Sequence, residues 1–83
     1  MLRREIWVDR EGRVVRYNLA YINPLLHSGD HGRVLDYDSA HGGHHRHYKG
    51  KVTAVPIASF EQAERRFERE WTKLAEGVKH ERH

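Results

Sequence analysis

The chain contains no cysteine, and this absence excludes both a disulfide framework and a thiolate metal site. It also has no apolar run approaching the roughly 20 residues of a membrane-spanning helix. Its first residues, MLRREIWVDR, lack the apolar core of a signal peptide. We therefore expect a cytoplasmic protein that makes no use of a membrane.

With 83 residues, the chain is long enough for one domain and no more. A domain of this size buries a modest share of its surface, so we expect a homodimer or a partner protein to supply further burial. The formal net charge is +3, and eight histidines can add to it. This balance favours an anionic partner, either a nucleic acid such as RNA or an acidic protein.

Runs of β-branched and aromatic residues, separated by short turn signals, predict an antiparallel sheet. The expected strands are Leu2–Val8, Arg13–Ile22, Arg33–Asp38, His44–Lys49 and Val52–Val55. The last run is short enough to be only an extended lead into the next element. The sequence therefore predicts a β-meander of four or five strands.

One helix is predicted near the carboxyl end, starting with Ser59 as N-cap and Gln62 completing a capping box. Apolar residues at spacings of three and four form one stripe, namely Phe60, Ala63, Phe67, Trp71, Leu74 and Val78. Gly77 is placed for a C-cap. The expected fold is α+β, with the amphipathic helix packed on one face of the meander. Residues 1–78 would form the domain and residues 79–83 a frayed tail.

Residues 36–48 concentrate four histidines, two aspartates, two tyrosines and one arginine in thirteen positions. If His44 begins a strand, alternation places His45 and His47 on one face and sends His44, Arg46 and Tyr48 to the other. Asp36 and Asp38 likewise share a face of the preceding strand. A short loop would bring a carboxylate close to an imidazole.

Three interpretations of this segment remain open. In the first, two histidines act as general base and general acid on an RNA phosphodiester, and no metal is needed. Arg46 or Lys49 would stabilise the charge on the phosphorus oxygens, and Asp36 or Asp38 would fix an imidazole tautomer.

In the second interpretation, His45 and His47 bind one divalent ion such as zinc, with His41 or a carboxylate completing the ligand set of a metal-dependent nuclease. In the third, the histidines line a polar face or bind phosphate passively. The protein would then be a non-catalytic module that binds a nucleic acid or a partner protein.

The histidine-rich segment also resembles a known motif. Tyr37-Asp38-Ser39-Ala40-His41, followed by His44-His45-Arg46-His47, is similar to the Tyr/Trp-Asp-Asn-Ala-His and His-His-x-His pattern of the TumE family of small toxin–antitoxin proteins. The resemblance extends from the first strand to Trp71, and Ser39 stands where the pattern has asparagine.

The resemblance implies a toxin encoded beside an antitoxin that has a helix-turn-helix DNA-binding domain. Carried over position by position, the motif marks the residues Asp38, His41, His44, His45, Arg46 and His47. Taken with the proton chemistry of the segment, it predicts a ribonuclease toxin without a cofactor.

Overall fold

The computed structural model describes residues 1–40 and 43–81. Five antiparallel strands form one sheet in chain order, and a single helix follows them. The strands are β1 (Leu2–Val8), β2 (Val14–Ile22), β3 (Arg33–Ala40), β4 (Gly43–Tyr48) and β5 (Lys51–Ala54), and the helix is α1 (Phe60–Glu81). The predicted α+β meander is therefore confirmed, with the fifth strand present.

Two tight turns fix the order of the strands. Between β1 and β2, Gly12 has a φ of +81°, and the Asp9 carboxylate accepts hydrogen bonds from the backbone N–H groups of Glu11 and Arg13. Between β4 and β5, Lys49 and Gly50 both have positive φ values, as the two central residues of a type I′ hairpin turn do. These turns keep neighbouring strands antiparallel and in register.

The helix begins where the sequence predicts. The backbone N–H of Gln62 donates to Ser59 Oγ at 3.2 Å, and the Gln62 side chain accepts a hydrogen bond from the Ala58 N–H at 2.7 Å. Its predicted end at Gly77 is wrong, because the helix continues to Glu81. A glycine within a helix costs only about 1 kcal/mol relative to alanine, which is too little to end it. Of the predicted tail, residues 79–81 are helical, and residues 82–83 lie outside the described residues.

The core lies between α1 and one face of the sheet. Its buried side chains include Tyr17, Leu19, Tyr21, Leu35 and Tyr37 from the sheet and Ala63 and Phe67 from the helix. We call this side of the sheet the helix face and the opposite side the open face. No helix in the described part of the chain has both the length and the apolar character needed to cross a membrane.

Candidate functional site

Strand register brings the aspartates and histidines together on the open face. Asp38 is paired with Asn18 on β2 and His45 on β4, and Asp36 is paired with His47 on β4. Residues paired across neighbouring strands point to the same face, so these side chains form two adjacent rows. We call Asp36, Asp38, His45 and His47 the open-face cluster.

The carboxylate of Asp38 lies between two imidazoles. His47 Nε2 is 3.0 Å from Asp38 Oδ2, and His45 Nδ1 is 3.8 Å from Asp38 Oδ1. Both imidazoles are about 30% exposed, so each remains accessible to a ligand. One carboxylate therefore contacts the imidazole of His47 and lies beside that of His45.

Asp36 is the more deeply buried carboxylate, with a side chain only 5% exposed. Its contacts are long, since Asn18 Nδ2 lies 3.5 Å from both carboxylate oxygens and Arg33 Nη1 lies 3.8 Å from Oδ2. The pKa of Asp36 is raised to about 6, chiefly by burial and to a smaller extent by the neighbouring charge of Asp38. His47, Arg33 and Asn18 act in the opposite direction but do not offset the burial. Near neutral pH this carboxylate is close to the point at which it takes up a proton.

Three buried polar atoms in and beside the cluster have no hydrogen-bond partner among the residues that the structure describes. They are Asn18 Oδ1, Asp38 Oδ1 and His45 Nδ1. Leaving such an atom unpaired costs about 1–3 kcal/mol, so unpaired buried atoms are uncommon in folded proteins. All three atoms lie beside one carboxylate, which makes this the least satisfied group of buried polar atoms in the described residues.

The geometry also defines a set of possible metal ligands. One ligand atom each from Asp36, Asp38 and His47 lies within 4.8 Å of the other two. The set expected from sequence was His45 and His47 with His41 or a carboxylate, and of these the group contains His47 and carboxylates. His45 belongs to the open-face cluster but not to this ligand group, and His41 lies outside the described residues.

Arg46 does not join the cluster, because it points to the helix face. Its Nη2 and Nε lie 2.5 and 2.9 Å from Glu70 Oε2, and the Tyr37 hydroxyl donates to Glu70 Oε1. The hydrogen bond with Glu70 raises the pKa of Arg46 above its usual value. The predicted role of Arg46 in stabilising a phosphate beside His45 and His47 is therefore incompatible with its position.

His44 also lies on the helix face. Its Nδ1 is 2.5 Å from the Tyr17 hydroxyl, and the two rings stack with centroids 5.6 Å apart. Burial is the main reason that the pKa of Tyr17 rises to about 12, with smaller contributions from Asp38 and Tyr37. Ser39, the residue that departs from the family pattern, accepts a hydrogen bond from the Tyr17 backbone N–H at 3.0 Å. His44 and Ser39 thus contact Tyr17 and are not part of the open-face cluster.

Sequence reasoning missed Asn18 and Arg33 as neighbours of the cluster. Strand alternation could have separated Asn18 from the core residues Tyr17 and Leu19 that flank it. Its place opposite Asp38, however, depends on the register between β2 and β3. That register is not readable from a single strand, because shifting it by one residue exchanges the two faces.

The sequence matches no model of a protein family, and no curated protein or solved structure is significantly similar to it. The function must therefore be argued from the open-face cluster and from the histidine-rich motif.

Proposed function

We propose that the protein is the toxin component of a prokaryotic toxin–antitoxin pair and that it cleaves RNA at the open-face cluster. The main support is that one carboxylate, Asp38, lies 3.0 Å from the imidazole of His47 and 3.8 Å from that of His45 on the same face. Two imidazoles beside one carboxylate form a small unit that can accept and donate protons near neutral pH.

The cluster suits cleavage through the RNA 2′-hydroxyl. One neutral imidazole takes the 2′-hydroxyl proton, and the 2′ oxygen forms a new bond to phosphorus. The bond from phosphorus to the 5′ oxygen breaks, and the second, protonated imidazole gives its proton to that leaving oxygen. His45 and His47 are two residues apart on one strand, about 6.5 Å along it, a spacing at which both imidazoles could contact one phosphate lying above the strand.

The biological context is proposed from the motif. The segment from Tyr37 to His47 resembles the TumE pattern, which implies an antitoxin with a helix-turn-helix domain as the partner. The net charge of +3 is compatible with an RNA substrate. The antitoxin, or a second copy of the chain, would also bury surface that a domain of 83 residues leaves exposed.

A second chemistry at the same cluster would use a divalent cation such as zinc. The convergence of Asp36, Asp38 and His47 favours it. So does the engagement of Arg46 with Glu70, because a cation on the open face would supply the charge that Arg46 does not bring there.

The proposal is tested with purified protein and a single-stranded RNA, in buffer with EDTA and in buffer with added zinc. We expect cleavage that leaves 2′,3′-cyclic phosphate ends and is lost in the His45→Ala/His47→Ala double variant. A substrate with 2′-deoxyribose at every position should stay intact. The His27→Ala variant is the matched control, since it removes a histidine outside the cluster and should cleave like the wild type.

Two results would contradict the proposal. Cleavage that persists in the folded double variant would place the chemistry elsewhere. An intact RNA in every condition, with soluble and folded wild type, would favour the non-catalytic binding module.

A further inference from the structure

The open face brings two carboxylates together with little positive charge to neutralise them. Asp36 and Asp38 lie on one strand and point to the same face, and each raises the cost of ionising the other. Arg33 approaches only Asp36, at 3.8 Å, and His47 contacts Asp38 at 3.0 Å. On the helix face, by contrast, Glu70 accepts hydrogen bonds from both Arg46 and Tyr37. Among the described residues, the charge of the two aspartates is therefore offset at close range only by the imidazole of His47, the more distant imidazole of His45 and one long ion pair to Arg33.

The unpaired atoms point to the kind of group that is needed. Asn18 Oδ1 and Asp38 Oδ1 can only accept hydrogen bonds or bind a cation. His45 Nδ1 lies 3.8 Å from Asp38 Oδ1 and has no partner of its own within the described ranges. A cation with bound water would provide the charge for the carboxylate oxygen and donors for the remaining acceptors.

We propose that Asp36, Asp38 and His47 bind one divalent transition-metal ion on the open face. Two carboxylate oxygens and one imidazole nitrogen form a mixed ligand set. Such a set suits zinc or manganese better than it suits ions that prefer oxygen ligands alone. Bonds of about 2.0–2.2 Å require the three ligand atoms to be somewhat closer than their present spread of up to 4.8 Å. A rotation of the half-buried His47 side chain would bring its ring nitrogen closer to the two carboxylates.

Three protein ligands leave room in the coordination shell for water or a phosphate oxygen, the arrangement found in catalytic zinc sites. The ion would add positive charge beside the two aspartates, where a phosphate would approach. His47 would then serve as a ligand, and His45 would remain free to transfer a proton. The inference rests on the proposed function only for this use of the ion, since binding itself requires no RNA.

Binding is tested by titrating zinc into EDTA-stripped protein, with calorimetry for stoichiometry and with the cobalt absorption spectrum as a second probe. We expect one site whose affinity falls at least about tenfold in Asp36→Asn, Asp38→Asn and His47→Ala. The controls His27→Ala and Glu68→Gln each remove one potential ligand elsewhere and should bind like the wild type. Zinc affinity that is unchanged in the three site variants, or an absence of binding, would overturn the inference.

A second measurement covers the case in which a variant does not fold. Manganese added to the isotope-labelled wild type should broaden the amide resonances of Asp36, Asp38 and His47 more than that of His27. Equal broadening at all histidines would show scattered surface binding and would contradict the site.

The two proposals can fail separately. Zinc binding at the site without any RNA cleavage would retain the metal site and refute the ribonuclease. Full cleavage in EDTA, together with no zinc binding in the titration of the stripped protein, would retain the ribonuclease and refute the metal site.

Discussion

The carboxylates on the two faces of the sheet differ in how well they are paired. On the helix face, Glu70 is held by Arg46 and by the hydroxyl of Tyr37. On the open face, Asp36 has only contacts of 3.5 and 3.8 Å to neutral or cationic groups, and Asp38 has an oxygen with no partner. The helix face thus has the satisfied network expected of a structural contact, whereas the open face has the unsatisfied groups expected of a binding site.

The acid–base behaviour of two carboxylates expresses the same contrast. Burial alone would raise the pKa of both Glu70 and Asp36. Hydrogen bonds from Arg46 and Tyr37 outweigh burial for Glu70 and hold its pKa below the usual range. Asp36 lacks comparable partners, so its pKa rises to about 6. Asp36 is also more deeply buried, with a side chain 5% exposed compared with 28% for Glu70, so burial and partners together decide which carboxylate stays charged.

The largest expected effect is on the growth of cells that express the protein, and it concerns the open face. Expression of the wild type without its antitoxin should arrest growth, and His45→Ala/His47→Ala should remove the arrest. Loss of both proton-transferring groups is expected to slow catalysis by about 10³-fold or more. Colony counts after induction, with protein levels matched by immunoblot, measure this. Undiminished arrest by the double variant would remove the functional distinction between the faces.

The next effect concerns the stability of the helix face. Arg46→Ala leaves Glu70 partly buried without its cation, so we expect the free energy of unfolding to fall by roughly 3 kcal/mol. Urea unfolding at pH 7 measures the change. The zinc affinity of the folded variant should stay at the wild-type value, because Arg46 does not face the cluster. A variant of normal stability with weakened zinc binding would contradict the assignment of the two faces.

Asp36→Asn should raise the free energy of unfolding when EDTA keeps the protein free of metal. The pKa of Asp36 is about 6 in the folded protein, compared with an ordinary value of 3.8. Between these pH values the folded state binds more protons than the unfolded state, so the contribution of Asp36 to stability falls as pH rises. Above pH 6 asparagine removes this cost, and we expect a gain of roughly 2 kcal/mol.

The measurement is urea unfolding of wild type and Asp36→Asn at several values between pH 4 and 8. The difference between the two proteins should grow from pH 4 to 6 and then level off. A constant difference over the whole range would show that Asp36 does not titrate as argued.

The smallest effect comes from the contact between Tyr17 and His44. Tyr17→Phe removes one partly buried hydroxyl, so we expect stability to fall by about 1 kcal/mol. Thermal unfolding with and without zinc measures the loss. The same loss should appear in both conditions, and a loss seen only with zinc would link the helix face to the metal site.

Sequence patterns account for most of the fold and for part of the site. Alternation along β4 separates His45 and His47 from Arg46, and the capping box marks the start of α1. These features are local, because each depends on residues within one turn or one strand. They predict which side chains share a face of the sheet, but not which residues of other elements those side chains contact.

The partners of the site residues depend on contacts between distant parts of the chain. Asn18 meets Asp36 through the pairing of β2 with β3, and Arg46 meets Glu70 through the packing of α1 on the sheet. Neither contact leaves a periodic pattern in the sequence. Alternation therefore predicts the face of Arg46, but its partner Glu70 becomes visible only in the packed structure.

The most direct test compares three histidines of one strand. The imidazole resonances of His44, His45 and His47 are followed by NMR while zinc and a non-cleavable 2′-deoxy oligonucleotide are added to the wild-type protein. The account predicts that His47 responds to zinc, that His45 responds to the oligonucleotide, and that His44 changes little in either step. An equal or larger response of His44, or no response of His45 and His47, would contradict the open face as the functional surface.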